Sequence, residues 1–326
     1  MLIKEYYLDS VKCTELTNKN NFKVQLVDLG AAIYGVYLDG TPLTLTTVDI
    51  NDFKRPRHYH GKTIGRLSGR IYLGQYEIHG KKYQIDINDD VNALHGGENG
   101  ISNQCFDVKV VENENYTDVV YTYLSKDGES GFNGDMYFVV TYRVYEEESK
   151  LELTLEATPT EDTICMLTNH VYFSLGDYDN SKLMLKVNST YHVVVDEKLI
   201  PSSLKEVNKN TDFRTPRLLV ESIEHPELRD SSMHGYDMEY IFDTIDFTIP
   251  QVELYNDNYH LAIYCDTAGT IIYSDNFENT AKFLTNGDQL RRRGIAIEPS
   301  DHHLKDHYID ANEKYVRHIT YVFKKA

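Results

Sequence analysis

The sequence predicts an all-β protein, a large sandwich or barrel built mainly of antiparallel strands. Three observations point there. Short runs rich in β-branched, aromatic and aliphatic residues recur from residue 3 to the end of the chain. Turn signals separate many of them: Asp39-Gly40, His79-Gly80, Asn133-Gly134 and Asn286-Gly287. Helical periodicity is scarce, and only residues 201–210 and the segment around 227–233 read as short helices or turns.

Taken in order, the runs at 22–28, 32–38, 76–78, 119–124, 136–145 and 151–157 either alternate or are apolar throughout. Strands with one or two buried faces have that pattern. A second series follows at 163–175, 183–187, 191–195, 247–254, 260–265, 270–274, 294–298 and 315–323. No low-complexity linker divides the chain and no repeat of fixed period appears, so residues 1–326 read as one β domain. A chain of 326 residues has ample volume for a substantial core.

Composition narrows the function classes. Lys and Arg number 33 against 51 Asp and Glu, a formal net charge of −18. Such a surface repels nucleic acid and anionic lipid, so the expected partner is a small molecule. The 26 tyrosines and absent tryptophan suit half-buried strand positions, where an apolar ring carries a polar tip. Cys13, Cys105, Cys165 and Cys265 stand far apart with no C-x-x-C pair, so neither a disulfide framework nor a zinc knuckle is expected. The first residues lack an apolar signal core and no run is long enough to span a membrane. A reduced, cytoplasmic protein is the simplest expectation.

The run at 163–175 is the most informative. Read as a strand, it places Thr168, His170, Tyr172 and Ser174 on one face and Asn169, Val171, Phe173 and Leu175 on the other. The first face centres on an imidazole, the side chain that titrates nearest neutrality. A histidine satisfied beside a sheet is the plain alternative.

Three glycine-marked polar stretches interrupt the strand pattern. Gly65-Arg66-Leu67-Ser68-Gly69-Arg70-Ile71 projects two arginines, whose donor forks suit hydroxyls and carboxylates or plain surface ion pairs. Residues 88–100 hold His95 directly before Gly96-Gly97, where backbone and ligand can approach closely. Near the end, Met233-His234-Gly235-Tyr236-Asp237-Met238 puts a carboxylate in a glycine-containing turn. Arg293-Gly294-Ile295-Ala296-Ile297-Glu298-Pro299 then reads as a strand with Ile295 and Ile297 facing the core, Glu298 opposite, and Pro299 ending the pairing. A carboxylate there is partly desolvated and tuned toward a general base, or it is a solvated strand end.

Taken together, Gly69-Arg70-Ile71, Leu94-His95-Gly96-Gly97, residues 168–175, Gly235-Tyr236-Asp237 and Ala296-Ile297-Glu298-Pro299 resemble, in that order, the motifs of the aldose 1-epimerases, the galactose mutarotase family. The resemblance runs from about residue 20 to residue 323. It implies a large antiparallel β-sandwich with a sugar cleft, acting without metal or organic cofactor; a monomer and a homodimer are both open from sequence. It further implies Glu298 as the general base on the anomeric hydroxyl and His170 as the general acid on the ring oxygen. His95 would be the second histidine at the sugar, and Asp237 and Arg70 would bind hydroxyls and pair with one another. The chain departs from the family in three places: Gly69 stands where Asn is usual before the arginine, Ser300 where Gln commonly follows the glutamate, and Phe106 is the nearest aromatic where a Trp often follows Leu-His-Gly-Gly. These departures bear on which sugar is recognised.

Three other readings are open from sequence. A hexose-6-phosphate 1-epimerase would need basic residues at the pocket, for which Arg66, Arg70 and Arg291-Arg292-Arg293 are available, although such a triplet also reads as a solvated edge. A non-catalytic sugar-binding protein would need no tuned acid–base pair. Asp301-His302-His303 and His307 offer metal ligands for a hydrolase, or form a hydrated surface loop.

Overall fold

The computed structural model describes residues 1–177, 179–285, 289–305 and 307–326; the turn signal Asn286-Gly287 lies outside them. Antiparallel strands dominate. A nine-stranded sheet runs Asp107–Glu112, Tyr116–Ser125, Met136–Tyr145, Lys150–Pro159, Tyr315–Lys325, Tyr259–Cys265, Val252–Tyr255, Met184–Val187 and Arg217–Leu218 in spatial order. A six-stranded sheet runs Tyr172–Phe173, Ile295–Ser300, Gly269–Tyr273, Asp237–Ile241, Tyr191–Val195 and Pro201–Glu206. A five-stranded sheet is formed in chain order by Leu2–Leu8, Val11–Thr17, Phe22–Val27, Ala32–Leu38 and Thr41–Pro42.

Sequence alternation explains how the large sheets stack. In Met136–Tyr145, Met136, Phe138, Val140, Tyr142 and Val144 are buried while the residues between them are more accessible. That inner face joins one core with Leu151, Leu153, Ile319 and Tyr321 of the same sheet and with Ile272, Ile295 and Ile297 of the six-stranded sheet. Phe173 meets Tyr321 across the two sheets with ring centroids 5.7 Å apart. Two sheets facing each other over interdigitated side chains make a sandwich.

The turn predictions at Asp39-Gly40 and His79-Gly80 correspond to tight reversals, with all four residues at positive φ as such hairpins require. Other expectations are corrected. Residues 163–175 are not one strand but three short pairs, Thr163–Ile164, Thr168–Asn169 and Tyr172–Phe173, each bonded to a different partner. Residues 201–206 form an edge strand rather than a helix; its polar, exposed side chains carry no apolar alternation, as befits an edge that must not pair further. The strand expected from 247 begins only at Val252, because Asp246 captures the Thr248 amide (2.8 Å) and hydroxyl (2.6 Å) in an Asx turn. The four cysteines are free thiols. Among the described residues, no helix is long and apolar enough to cross a membrane.

Candidate active site

The outer face of the six-stranded sheet forms the floor of a cavity of about 260 Å³. Strand Ile295–Ser300 is second from one edge, with Ile271 opposite Glu298 and Tyr172 opposite Ala296. Ile295 and Ile297 therefore enter the core, and Glu298 enters the cavity at 2% exposure. Pro299 does not end the pairing as predicted: the register continues through Thr270–Pro299 to Gly269–Ser300. Asp237 is the first residue of its strand rather than part of a turn, and it lies opposite Tyr273.

His170 occupies the gap between two short strand pairs. Its amide donates to Lys62 O and its carbonyl accepts from Gly61 N, each at 2.9 Å. Its ring stacks on Tyr172 at 5.1 Å, and Tyr172 stacks on buried His60 at 4.0 Å. Tyr59 closes the other side, 4.7 Å from the His95 ring and 5.8 Å from His170. His95 follows the pair formed by Ala93–Leu94 with Arg70–Ile71, and its positive φ turns the ring inward.

These elements bring all five predicted residues to one cavity: Glu298, His170, His95, Asp237 and Arg70. His170 Nε2 lies 3.3 Å from Glu298 Oε1. Glu298 Oε2 and His170 Nδ1 are buried without a hydrogen-bond partner. Gly69 N–H donates to His95 Nδ1 at 3.2 Å, so a neutral His95 ring carries its proton on Nε2. Arg70 Nε donates to Asp89 Oδ2 at 2.8 Å, and its Nη1 is 3.9 Å from Asp237 Oδ2. Arg57 holds the other oxygen of Asp89.

Burial sets the electrostatics. Desolvation pushes the Glu298 carboxyl well above the usual range; Asp237 adds to this and Arg70 opposes it. Desolvation also lowers His170, to about 4. It also lowers His95 well below the ordinary histidine value, with His170 and Arg70 adding. Asp237 is raised by burial against the pull of Arg70. Asp89 is lowered, because Arg70 and Arg57 outweigh its own desolvation. The cavity thus holds a carboxyl and an imidazole in contact, both biased toward their neutral forms, with an arginine held in place beside them.

Sequence reasoning missed Arg57, Tyr59 and Phe277, which line the cavity with Met233 of the 233–238 stretch. They lie in irregular segments with no periodicity, and only the aromatic–polar cluster Arg57-His58-Tyr59-His60 offered a signal. Arg66, expected to project, is buried and donates to Ser125 Oγ and Asn133 O at 2.9 Å. Arg293 of the basic triplet is likewise buried, on Asp275 at 2.7 Å. Asp301 pairs with Arg317, and His302 and His303 turn inward onto Glu239 rather than forming a hydrated loop. Among the described residues, the tight cluster able to hold a metal ion is instead His95, His170 and Glu298, with donor atoms within 4.8 Å of one another.

The family model described as aldose 1-epimerase matches residues 12–322. The maltose epimerase of Levilactobacillus brevis is 24% identical over 322 residues, covering 95% of this chain and 94% of that one. The aldose 1-epimerase of Streptococcus thermophilus is 29% identical over 262 residues, covering 77% and 73%. Among solved structures, the galactose 1-epimerase of Lactobacillus acidophilus superposes with a TM-score of 0.88 at 24% identity, covering 100% of this chain and 98% of that one.

Proposed function

The chain belongs to the aldose 1-epimerase family, and on that premise we propose that it interconverts the α and β anomers of a neutral aldohexose, galactose or glucose, by acid–base ring opening. The observation carrying this reading is the contact between buried Glu298 and His170 in a pocket large enough for one hexose. Ring opening removes a proton from the C1 hydroxyl and delivers one to the ring oxygen, so it needs a base and an acid at one acetal-like centre.

Glu298 takes the C1 hydroxyl proton on its unpartnered oxygen, and imidazolium His170 gives its proton to O5 as the C1–O5 bond breaks. The open-chain aldehyde turns about C1–C2. On closure O5–H returns its proton to His170, Glu298 returns its own to the former carbonyl oxygen, and the enzyme is restored. In the free protein, desolvation draws the Glu298–His170 proton toward the neutral pair. Sugar hydroxyls replace the missing solvation and favour the ionic form that reacts. His95, with Nε2–H facing the cavity, steadies the ring oxygen, and Arg70 with Asp237 orients hydroxyls.

No step requires an ion at His95, His170 and Glu298, since all three have proton or hydrogen-bond roles. A phosphorylated sugar fits less well, because Arg66 and Arg293 are committed to buried partners elsewhere. A reducing disaccharide is a second reading. A cleft of about 500 Å³ adjoins the cavity through Arg57, Arg70, Met233 and Phe277, room for a second ring, and the Levilactobacillus brevis relative is named for maltose. Three buried free thiols accord with a reducing, cytoplasmic setting.

Polarimetry on freshly dissolved α-D-galactose, α-D-glucose and maltose, in buffer containing a chelator, tests the proposal. Faster relaxation to an unchanged final rotation is expected. Uncatalysed rates with all three sugars would exclude it.

A further inference from the structure

The Glu239–His303 contact behind the cavity is not used by the reaction above, yet it touches the segment that holds His95. Glu239 lies two residues beyond Asp237 in the same strand, so its side chain shares the cavity-side face. Its Oε1 accepts from the His303 amide at 2.9 Å, and its Oε2 lies 3.2 Å from His303 Nδ1. Burial alone would raise this carboxyl, but the adjacent His302 and His303, with the His303 amide donating to it, outweigh that and hold it at about 2. Both side chains are 6% exposed, so the amide bond to Glu239 anchors His303 inside the protein rather than on its surface.

The far edge of His303 lies against Ser68-Gly69. Nε2 is 3.3 Å from Ser68 O, where the ring nitrogen donates and the carbonyl accepts. Gly69 has φ +79°, and a Cβ added there would stand 2.5 Å from His303 Nε2 and 2.7 Å from Cδ2. A side chain at 69 and the imidazole at 303 therefore exclude one another. The same Gly69 grips His95 from both sides: its N–H donates to His95 Nδ1 at 3.2 Å, and its carbonyl accepts from His95 N–H at 2.9 Å. The first of these bonds decides which nitrogen of His95 faces the cavity as a donor.

We propose that His303, held by Glu239 and filling the space a side chain at position 69 would need, is a positioning residue that clamps the Ser68–Gly69 peptide and thereby keeps His95 in its Nε2–H tautomer. The consequence for turnover rests on the mutarotase reading, in which His95 steadies the ring oxygen; the tautomer itself does not.

Two variants of similar bulk separate the hydrogen bond from the volume. His303→Gln keeps a donor for Ser68 O, and His303→Met lacks one. In ¹⁵N-histidine-labelled protein without sugar, long-range ¹H–¹⁵N spectra report the His95 tautomer directly. Wild type and His303→Gln should show a single Nε2–H form. His303→Met should show a mixture, with kcat for the best sugar lower by about tenfold and KM little changed. A wild-type His95 lacking the Nε2–H form overturns the proposal without any variant. So does a His303→Met protein that keeps the single tautomer, or a His303→Gln protein that loses it equally. If the tautomers behave as expected while no sugar is turned over, the mutarotase reading fails and the clamp stands.

Discussion

Replacing His170 by Asn removes the imidazole while keeping a similar volume and hydrogen-bonding end, so its effects should be chemical. Loss of a positioned general acid lowers turnover by about 10²–10⁴-fold, or about 3–5 kcal/mol of transition-state stabilisation. The same variant carries a stability signature. In the unfolded chain the imidazole titrates near 6.5; buried in the folded pocket it is lowered to about 4. A histidine whose folded value is depressed contributes stability that is present above its unfolded value and lost as pH falls through the folded one. At about 1.4 kcal/mol per pH unit, wild type should lose about 2 kcal/mol relative to His170→Asn between pH 7.5 and pH 5 from this group. At pH 4 the difference should approach about 3 kcal/mol. Urea unfolding of both proteins across that range measures the difference, and polarimetry at pH 7.5 measures turnover. His95, His60 and His58 are also lowered by burial, so wild-type acid sensitivity is composite. The difference between the two proteins isolates His170. Near-wild-type turnover would remove His170 from the mechanism, and a pH-independent stability difference would refute the reading of its burial.

Further outcomes follow from the same cavity. Glu298→Gln should lose turnover by about 10²–10⁴-fold, yet it should be more stable than wild type at neutral pH. A carboxyl raised by desolvation contributes stability that is present below its unfolded value of about 4.3 and lost as pH rises. Thermal unfolding at pH 4 and pH 8 reads this, and an advantage that grows toward low pH would contradict it. Arg70→Lys should raise KM more than it lowers kcat, because a lysine cannot reach Asp89 and the sugar hydroxyls with one planar fork. Initial rates over a range of sugar concentrations decide this. Prolonged dialysis against a chelator should leave mutarotation rates unchanged, and activity restored only by added metal would move His95, His170 and Glu298 to a metal-dependent role.

The chain alone determined the fold class and picked out five residues that line one cavity. Alternating runs such as residues 136–145 and 151–157 follow from the two-residue period of a strand, which is a local property and survives without knowledge of neighbours. Glu298 opposite Ile295 and Ile297 was legible for the same reason, as was His95 before two glycines that permit close backbone approach. Local pattern could not show which segments pair. Residues 163–175 look like one strand because β propensity is continuous there, yet three different partners divide them and leave His170 in the gap. Side-chain direction in irregular segments was equally hidden: Arg66 and Arg70 sit four residues apart in one polar loop, but one is buried on Ser125 and the other faces the cavity. His302 and His303 read as a solvated loop until Glu239, distant in sequence, supplies the carboxylate that draws them inside. Whether a charged or polar side chain is buried depends on what partner the fold brings to it, because desolvation is offset only by a contact, and contacts between distant segments are decided by tertiary structure.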